Sequence, residues 1–142
     1  MGERMKMLLD YRRIARADDL DLISQILFPN NKRHRYTFLV IFVELKWSQE
    51  KPCPDLESVR KRYGIGQRSF EIVRAKLSRA GIIERISRFS QKDNFKEGWI
   101  ISSRFSNSLK RLAETFEENR TRTGDKQEEK DRFYLFLTDF KN

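Results

Sequence analysis

Apolar residues along the chain recur in short stripes at helical spacing, separated by polar breaks. Met5, Leu8, Leu9 and Ile14 lie among basic residues and predict a short amphipathic helix or a basic arm over residues 3–16. Asp18 or Asp19 then offers a helix cap, and Leu20, Leu22, Ile23, Ile26 and Leu27 follow at helical spacing until Pro29-Asn30-Asn31 stops the helix. Tyr36 to Trp47 is apolar nearly all round. Periodicity alone does not separate a buried strand from a buried helix there, and its Val, Ile, Phe and Tyr favour a strand. The length of the segment, with Glu44 and Lys46 near its end, predicts a buried central helix. Residues 48–54 are a polar connection with two prolines and room for a short extended piece.

The second half is more regular. Asp55 caps a helix bearing Leu56, Val59 and Tyr63, and Gly64-Ile65-Gly66 makes a tight turn. A second helix over residues 67–80 places Phe70, Val73 and Leu77 on one face and ends at Gly81. Ile82 to Phe89 and Trp99 to Arg104 predict two strands joined by a polar tip, a hairpin. Ser103 or Ser106 caps a further helix with Phe105, Leu109, Leu112 and Phe116 on one stripe. Residues 119–131 are almost wholly polar, with Asp125 and Glu128 spaced as a capping box. Phe133, Phe136, Leu137 and Phe140 then predict a terminal amphipathic helix. The expected fold is mainly α with a small β-hairpin. Its expected divisions are a basic N-terminal arm or helix at 1–17, a central domain at 18–118, and a polar linker with a C-terminal helix at 119–142.

Charge adds a direction to this pattern. The formal net charge is +9 over 142 residues. Residues 1–17 carry +3, residues 55–104 carry +6, and the blocks 18–53 and 105–142 are neutral. A concentrated basic excess is the footprint of a polyanion partner. Cys53 is the single cysteine and His34 the single histidine. An internal disulfide and a cysteine-based zinc site are therefore excluded. His34 sits in the run Lys32-Arg33-His34-Arg35, a poor place to hold a cation, and reads as a helix-start surface residue. There is no phosphate-binding glycine loop and no nucleophile–base pair, so no enzyme, metal or cofactor is expected. The longest apolar run, Phe38 to Val43, is six residues, far short of a membrane span. With no signal-peptide pattern at the start, the expected setting is cytoplasmic and nucleoid-associated.

Helix, turn, helix, hairpin is the order of a winged helix. The run Pro54-Asp-Leu-Glu-Ser-Val-Arg-Lys-Arg-Tyr-Gly-Ile-Gly-Gln-Arg-Ser-Phe-Glu-Ile-Val-Arg-Ala-Lys-Leu-Ser-Arg-Ala-Gly-Ile-Ile83 resembles the helix–turn–helix of GntR-type and MarR-type regulators. Four features carry the resemblance: a proline and an acid before the first helix, Gly64 with Ile65 in the turn, Phe70 opening the buried face, and Leu77 followed by Ala80-Gly81-Ile82-Ile83. It spans about residues 36–118. One departure is Arg74, where those families usually place an aliphatic side chain. The flanks at 1–17 and 119–142 match no family pattern.

The resemblance implies a non-enzymatic regulator of transcription that binds double-stranded DNA, with the helix at 67–80 in the major groove and 82–104 as a basic wing. The residues themselves point the same way. With Phe70, Val73 and Leu77 inward, the helix turns Gln67, Arg68, Ser69, Ile72, Ala75, Lys76 and Arg79 outward. Arg68 is the candidate base or phosphate reader, with Lys76 and Arg79 on phosphates. Glu71, the one acid there, accepts from a cytosine or pairs with an arginine. Arg60, Lys61 and Arg62 are backbone candidates on the first helix, and Arg85, Arg88, Lys92 and Lys96 line the wing. Phe89 and Trp99 read as wing support; Phe95 at the tip reads as stacking or packing. The stripes Phe105, Leu109, Leu112, Phe116 and Phe133, Phe136, Leu137, Phe140 are the candidate homodimer faces. Such a dimer would read a pseudo-palindrome with half-sites one helical turn apart. No small-molecule effector is evident. Competing readings are a replication-initiator-like or plasmid or phage DNA-binding protein, an RNA-binding winged helix, and a protein-interaction scaffold.

Overall fold

A computed structural model gives the placement of residues 7–49, 52–87, 97–121 and 127–141. The described elements, in chain order, are α1 (Tyr11–Arg16), α2 (Leu20–Leu27), α3 (Lys32–Lys46), α4 (Leu56–Arg62), α5 (Gln67–Ala80), β1 (Ile83–Ser87), β2 (Glu97–Ile101), α6 (Arg104–Arg120) and α7 (Gln127–Lys141). The chain is thus mainly helical with one small antiparallel hairpin. It divides into two compact units, Met1–Ser106 and Asn107–Asn142.

Helix starts follow the capping chemistry. Asp10, Asp19, Asn31 and Asp55 each accept a backbone N–H of the helix that follows, opening α1 to α4. The cap at Asn31 explains why the central helix begins four residues before the apolar run, with the Lys32-Arg33-His34-Arg35 tract forming its first turn. His34 is half-buried there, edge-on to Phe28 with ring centroids 5.9 Å apart. The expectation of a helix buried all round is corrected. Phe38, Val40, Ile41 and Leu45 face the core, but Tyr36, Val43 and Trp47 are exposed. The all-apolar look of this segment thus mixes a core face with an open aromatic stripe.

The core of the first unit joins Leu27 at the end of α2 and Phe28 just after it, the inner face of α3, Leu56 and Val59 of α4, Ile65 of the turn, Phe70, Val73 and Leu77 of α5, and Ile82 and Ile83. Helix α5 ends at Gly81, whose φ of 79° is left-handed. A Cβ there would meet the Cβ of Arg104 at 2.9 Å, because Phe105 donates its N–H to the Gly81 carbonyl at 2.9 Å. This close approach fixes where α6 begins. The second strand therefore ends at Ile101, earlier than the sequence reading placed it, and Ser102 accepts the Arg104 N–H through its hydroxyl.

The hairpin pairs Ile83 with Ile101 through to Ser87 with Glu97. Residues 88–96, which include Phe89, Phe95 and the tip, lie outside the described residues. Cys53 adds a single bridge on the far side of β2: its N–H donates to the Trp99 carbonyl at 2.9 Å, and the Trp99 N–H donates back at 2.8 Å. The short extended piece allowed in the 48–54 connection is this bridge. It ties the entry of α4 to the hairpin. Residues 122–126, with Asp125 of the expected capping box, also fall outside the described residues. Among the described residues, no helix is long and apolar enough to cross a membrane.

Candidate nucleic-acid interface

The pair α4 and α5, with the turn between them, presents the basic residues singled out in the sequence. Arg60 is committed to this turn. Its guanidinium donates to Glu57 at 2.8 and 2.5 Å and to the Ile65 carbonyl at 3.0 Å. The Glu57 hydrogen bond raises the pKa of Arg60, and in return Arg60 holds the Glu57 carboxyl below its ordinary value. Arg60 is thus a clamp across the turn, and its assignment as a backbone-phosphate contact is withdrawn. Arg62 reaches Glu44 of α3 at 3.1 Å while remaining 61% exposed at its side chain. Lys61 is exposed.

Glu44 also accepts from the Tyr63 hydroxyl at 2.5 Å, joining the end of α4 to α3. That hydrogen bond, first among the causes, raises the Tyr63 pKa above its ordinary 10.0. Because the folded value is raised, the contribution to stability is complete below pH 10 and is lost as pH climbs through the raised value. Tyr63→Phe is expected to remove one phenolate step above pH 10 from the absorbance titration, and to flatten the alkaline fall in stability.

Along α5, Arg68, Ile72, Ala75 and Arg79 form one outward row at i, i+4, i+7 and i+11. The two arginines are exposed and stand about 16 Å apart along the axis. Among the described residues Arg68 has no ion-pair partner. Gln67 donates to Glu71 at 3.2 Å, so that acid is engaged on its own helix. Ser69 is half-buried.

Lys76 departs from the sequence reading. Its ammonium is turned onto the end of α2, donating to the Leu27 carbonyl and lying 4.4 Å from the Phe28 ring centroid. Carbonyls at a helix C-terminus attract cations, and the ring face adds to this. Lys76 therefore fastens α5 to α2 inside the first unit, and its assignment to phosphates is withdrawn. Lys76→Met is expected to lower stability by about 1 kcal/mol, with duplex affinity changed less than about threefold; thermal melting and a binding titration check both halves.

Arg74 fills its unusual position by lying over the Trp99 ring, 5.5 Å from its centroid. It thereby links α5 to β2, so Trp99 supports the hairpin as expected. The two line an open groove of about 330 Å³ with Asp55, Glu57, Glu71 and Arg85. Arg85 lies 3.6 Å from Glu97 across the hairpin and is exposed. Arg88, Lys92 and Lys96 lie outside the described residues.

The start of α5 departs from the capping pattern of the helices before it. Its N-cap is Gly66, and no side chain caps it, whereas each of α1 to α4 has a side-chain cap. Its first turn holds no acid and carries Arg68. The signal was present in the sequence as a glycine, which has no side-chain oxygen to accept a helix N–H. The result is a helix end with no side-chain cap, its positive dipole beside a guanidinium that has no ion-pair partner among the described residues. Of the expected dimerisation residues, Phe105 packs on the core of the first unit, while Leu109, Leu112, Phe116, Phe133, Phe136, Leu137 and Phe140 are exposed.

Compared with known proteins, the chain matches no family model, no curated protein and no solved structure.

Proposed function

We propose that the first unit is a winged helix–turn–helix that binds double-stranded DNA, and that the protein is a non-enzymatic regulator of transcription acting on the nucleoid. In this reading α5 enters the major groove, α4 crosses the backbone with Lys61 and Arg62, and the hairpin is the wing. The observation that carries it is the uncapped, acid-free N-terminus of α5, with Arg68 in its first turn. A helix end in this state is a site for an anion, and the N-terminal end of a recognition helix is the part that approaches bases and phosphates. The row from Arg68 to Arg79 extends the same positive surface along the helix.

Gly66→Asp separates this reading from a merely basic surface. Gly66 has φ −60° and ψ 141°, open to any residue, and a Cβ there meets nothing within 4 Å. Aspartate would cap α5 and complement its dipole, so stability is expected to rise by a few tenths of a kcal/mol to about 1 kcal/mol. The same carboxylate would occupy and repel at the phosphate site. Duplex affinity is therefore expected to fall about tenfold or more, with a log–log salt slope reduced by roughly 1. Fluorescence anisotropy on a labelled duplex across a salt series reads both quantities. A Gly66→Asp chain that is more stable and binds duplex as well as the native chain would remove α5 from the interface.

A further inference from the structure

The outer face of α3 mixes rings with cations. From Lys32 to Trp47 the exposed residues are Lys32, Arg33, Tyr36, Val43, Lys46 and Trp47, with no acid among them. Trp47 is 72% exposed and Tyr36 50%. Glu44, at the edge of this face, is engaged by Arg62 at 3.1 Å and by the Tyr63 hydroxyl, which brings the end of α4 alongside. We propose that this face binds single-stranded DNA, with bases stacked on Tyr36 and Trp47 and phosphates held by Lys32, Arg33 and Lys46. Duplex docking through α5 is a separate interaction on a separate surface.

Each exposed ring has a π-face for a base, and stacking of this kind is tolerant of sequence. The Lys46 ammonium lies 5.3 Å from the Trp47 ring centroid, and the Arg62 guanidinium 5.8 Å from that of Tyr63. A cation on one side of an exposed ring leaves the other side for a base and stands within reach of that nucleotide's phosphate. Trp47 and Arg62 also wall an open hollow of about 310 Å³, bordered by Glu44 and Cys53. Its size is at the lower end for small-molecule pockets and gives room for one base beside the indole. Tyr36 and Trp47 stand about 17 Å apart along the axis, so a strand lying on the helix meets both rings in turn.

Charge and shape select the occupant. Every exposed charge on this face of α3 is positive, so two copies of it repel each other, whereas a polyanion complements it. The aliphatic surface is only Val43 with half-buried Leu39, too little to sink into a lipid layer. A duplex keeps its bases stacked inside and offers only their edges, so an unpaired strand alone can lay its bases on these rings. The inner residues of α3, Phe38, Ile41 and Leu45, are in the core, and α3 packs against α5. The choice of DNA over RNA rests on the duplex reading above: Arg62, on the helix that crosses the backbone there, borders this face, so a strand separated from the same DNA reaches it.

The test is anisotropy of a labelled oligothymidylate of about twelve residues with the full-length chain at low salt. Binding is expected, falling as salt is raised. Trp47→Leu, which keeps an apolar side chain without a ring, is expected to weaken it about tenfold, and Tyr36→Leu, Trp47→Leu about 50-fold, while Trp47→Phe stays within about threefold of the native chain. Both residues are exposed, so their replacement uncovers no core, and duplex affinity is expected to hold. Arg68→Ala, Arg79→Ala is expected to do the reverse, weakening duplex binding and sparing the single strand. Trp47-dependent binding of oligothymidylate with no duplex binding upholds this site and removes the duplex reading. No binding of oligothymidylate at low salt, equal binding by the native chain and Trp47→Leu, or equal losses in Trp47→Leu and Trp47→Phe overturns the proposal. Tighter binding of oligouridylate overturns the choice of DNA. Trp47-dependent binding to vesicles of anionic lipid, or Trp47-dependent self-association, without oligothymidylate binding overturns the proposal likewise.

Discussion

Arg68→Ala, Arg79→Ala is expected to weaken duplex binding about 100-fold, or about 2.7 kcal/mol, while leaving stability within about 0.5 kcal/mol of the native chain. The two side chains are the ends of one outward row on α5, and both are exposed. Their loss uncovers no core surface, which is why the fold should not register it. The affinity loss has two parts. A guanidinium on a base edge contributes about 1–3 kcal/mol and relaxes preference at that position, whereas one on a phosphate weakens all sequences alike and lowers the salt slope by about 1. Comparing the single substitutions on several duplexes apportions them. Arg68, beside the open end of the helix, should carry the sequence-dependent share. Arg60→Ala makes the contrast. Because Arg60 spans from Glu57 to the Ile65 carbonyl, its loss should lower stability first and affinity only through it.

Gly98→Ala should be the most damaging single methyl group that can be added to the first unit. A Cβ at Gly98 would stand 2.3 Å from the carbonyl oxygen of Cys53 and 2.8 Å from its carbon. Both contacts are backbone, so no side-chain rotation relieves them. Gly98 also has φ 158°, at the edge of the region that L side chains avoid. The chain must give up the two hydrogen bonds between Cys53 and Trp99 or displace β2. Overpacking of this kind, with a bridge lost, costs about 3 kcal/mol, and lowers the melting midpoint by about 10 °C. The hairpin would also detach from the segment entering α4, so duplex affinity should fall with stability. Thermal melting beside a binding titration reads the two together.

The sequence made α4, the turn after it and α5 legible because their signals are local. Asp55, the Gly64-Ile65-Gly66 turn, the spacing of Phe70, Val73 and Leu77, and Gly81 each act within a few residues, and α4, α5 and β1 follow from them. The errors came where a partner lies far along the chain. Lys76 sits at the flank of the α5 face, and nothing near it reveals that the end of α2, 49 residues earlier, will take its ammonium. The Cys53 bridge to Trp99 is a single residue pair and has no alternating pattern to announce it. Tyr36, Val43 and Trp47 read as core because an apolar letter does not say what covers it. Arg60 was partly legible, since Glu57 stands three residues before it on one helix face, and the pair competes with any outside phosphate.

Docking of the N-terminal face of α5 on duplex DNA, as proposed, is tested by amide chemical-shift mapping of the native chain. A duplex of random sequence is titrated at low salt. The largest shifts are expected at Gly66 to Ile72, extending to Ala75 and Arg79 and to the hairpin, with reversal as salt is raised. Shifts confined to α1 or to the exposed stripe of α3, with α5 silent, or no shifts at all at low salt, would contradict it.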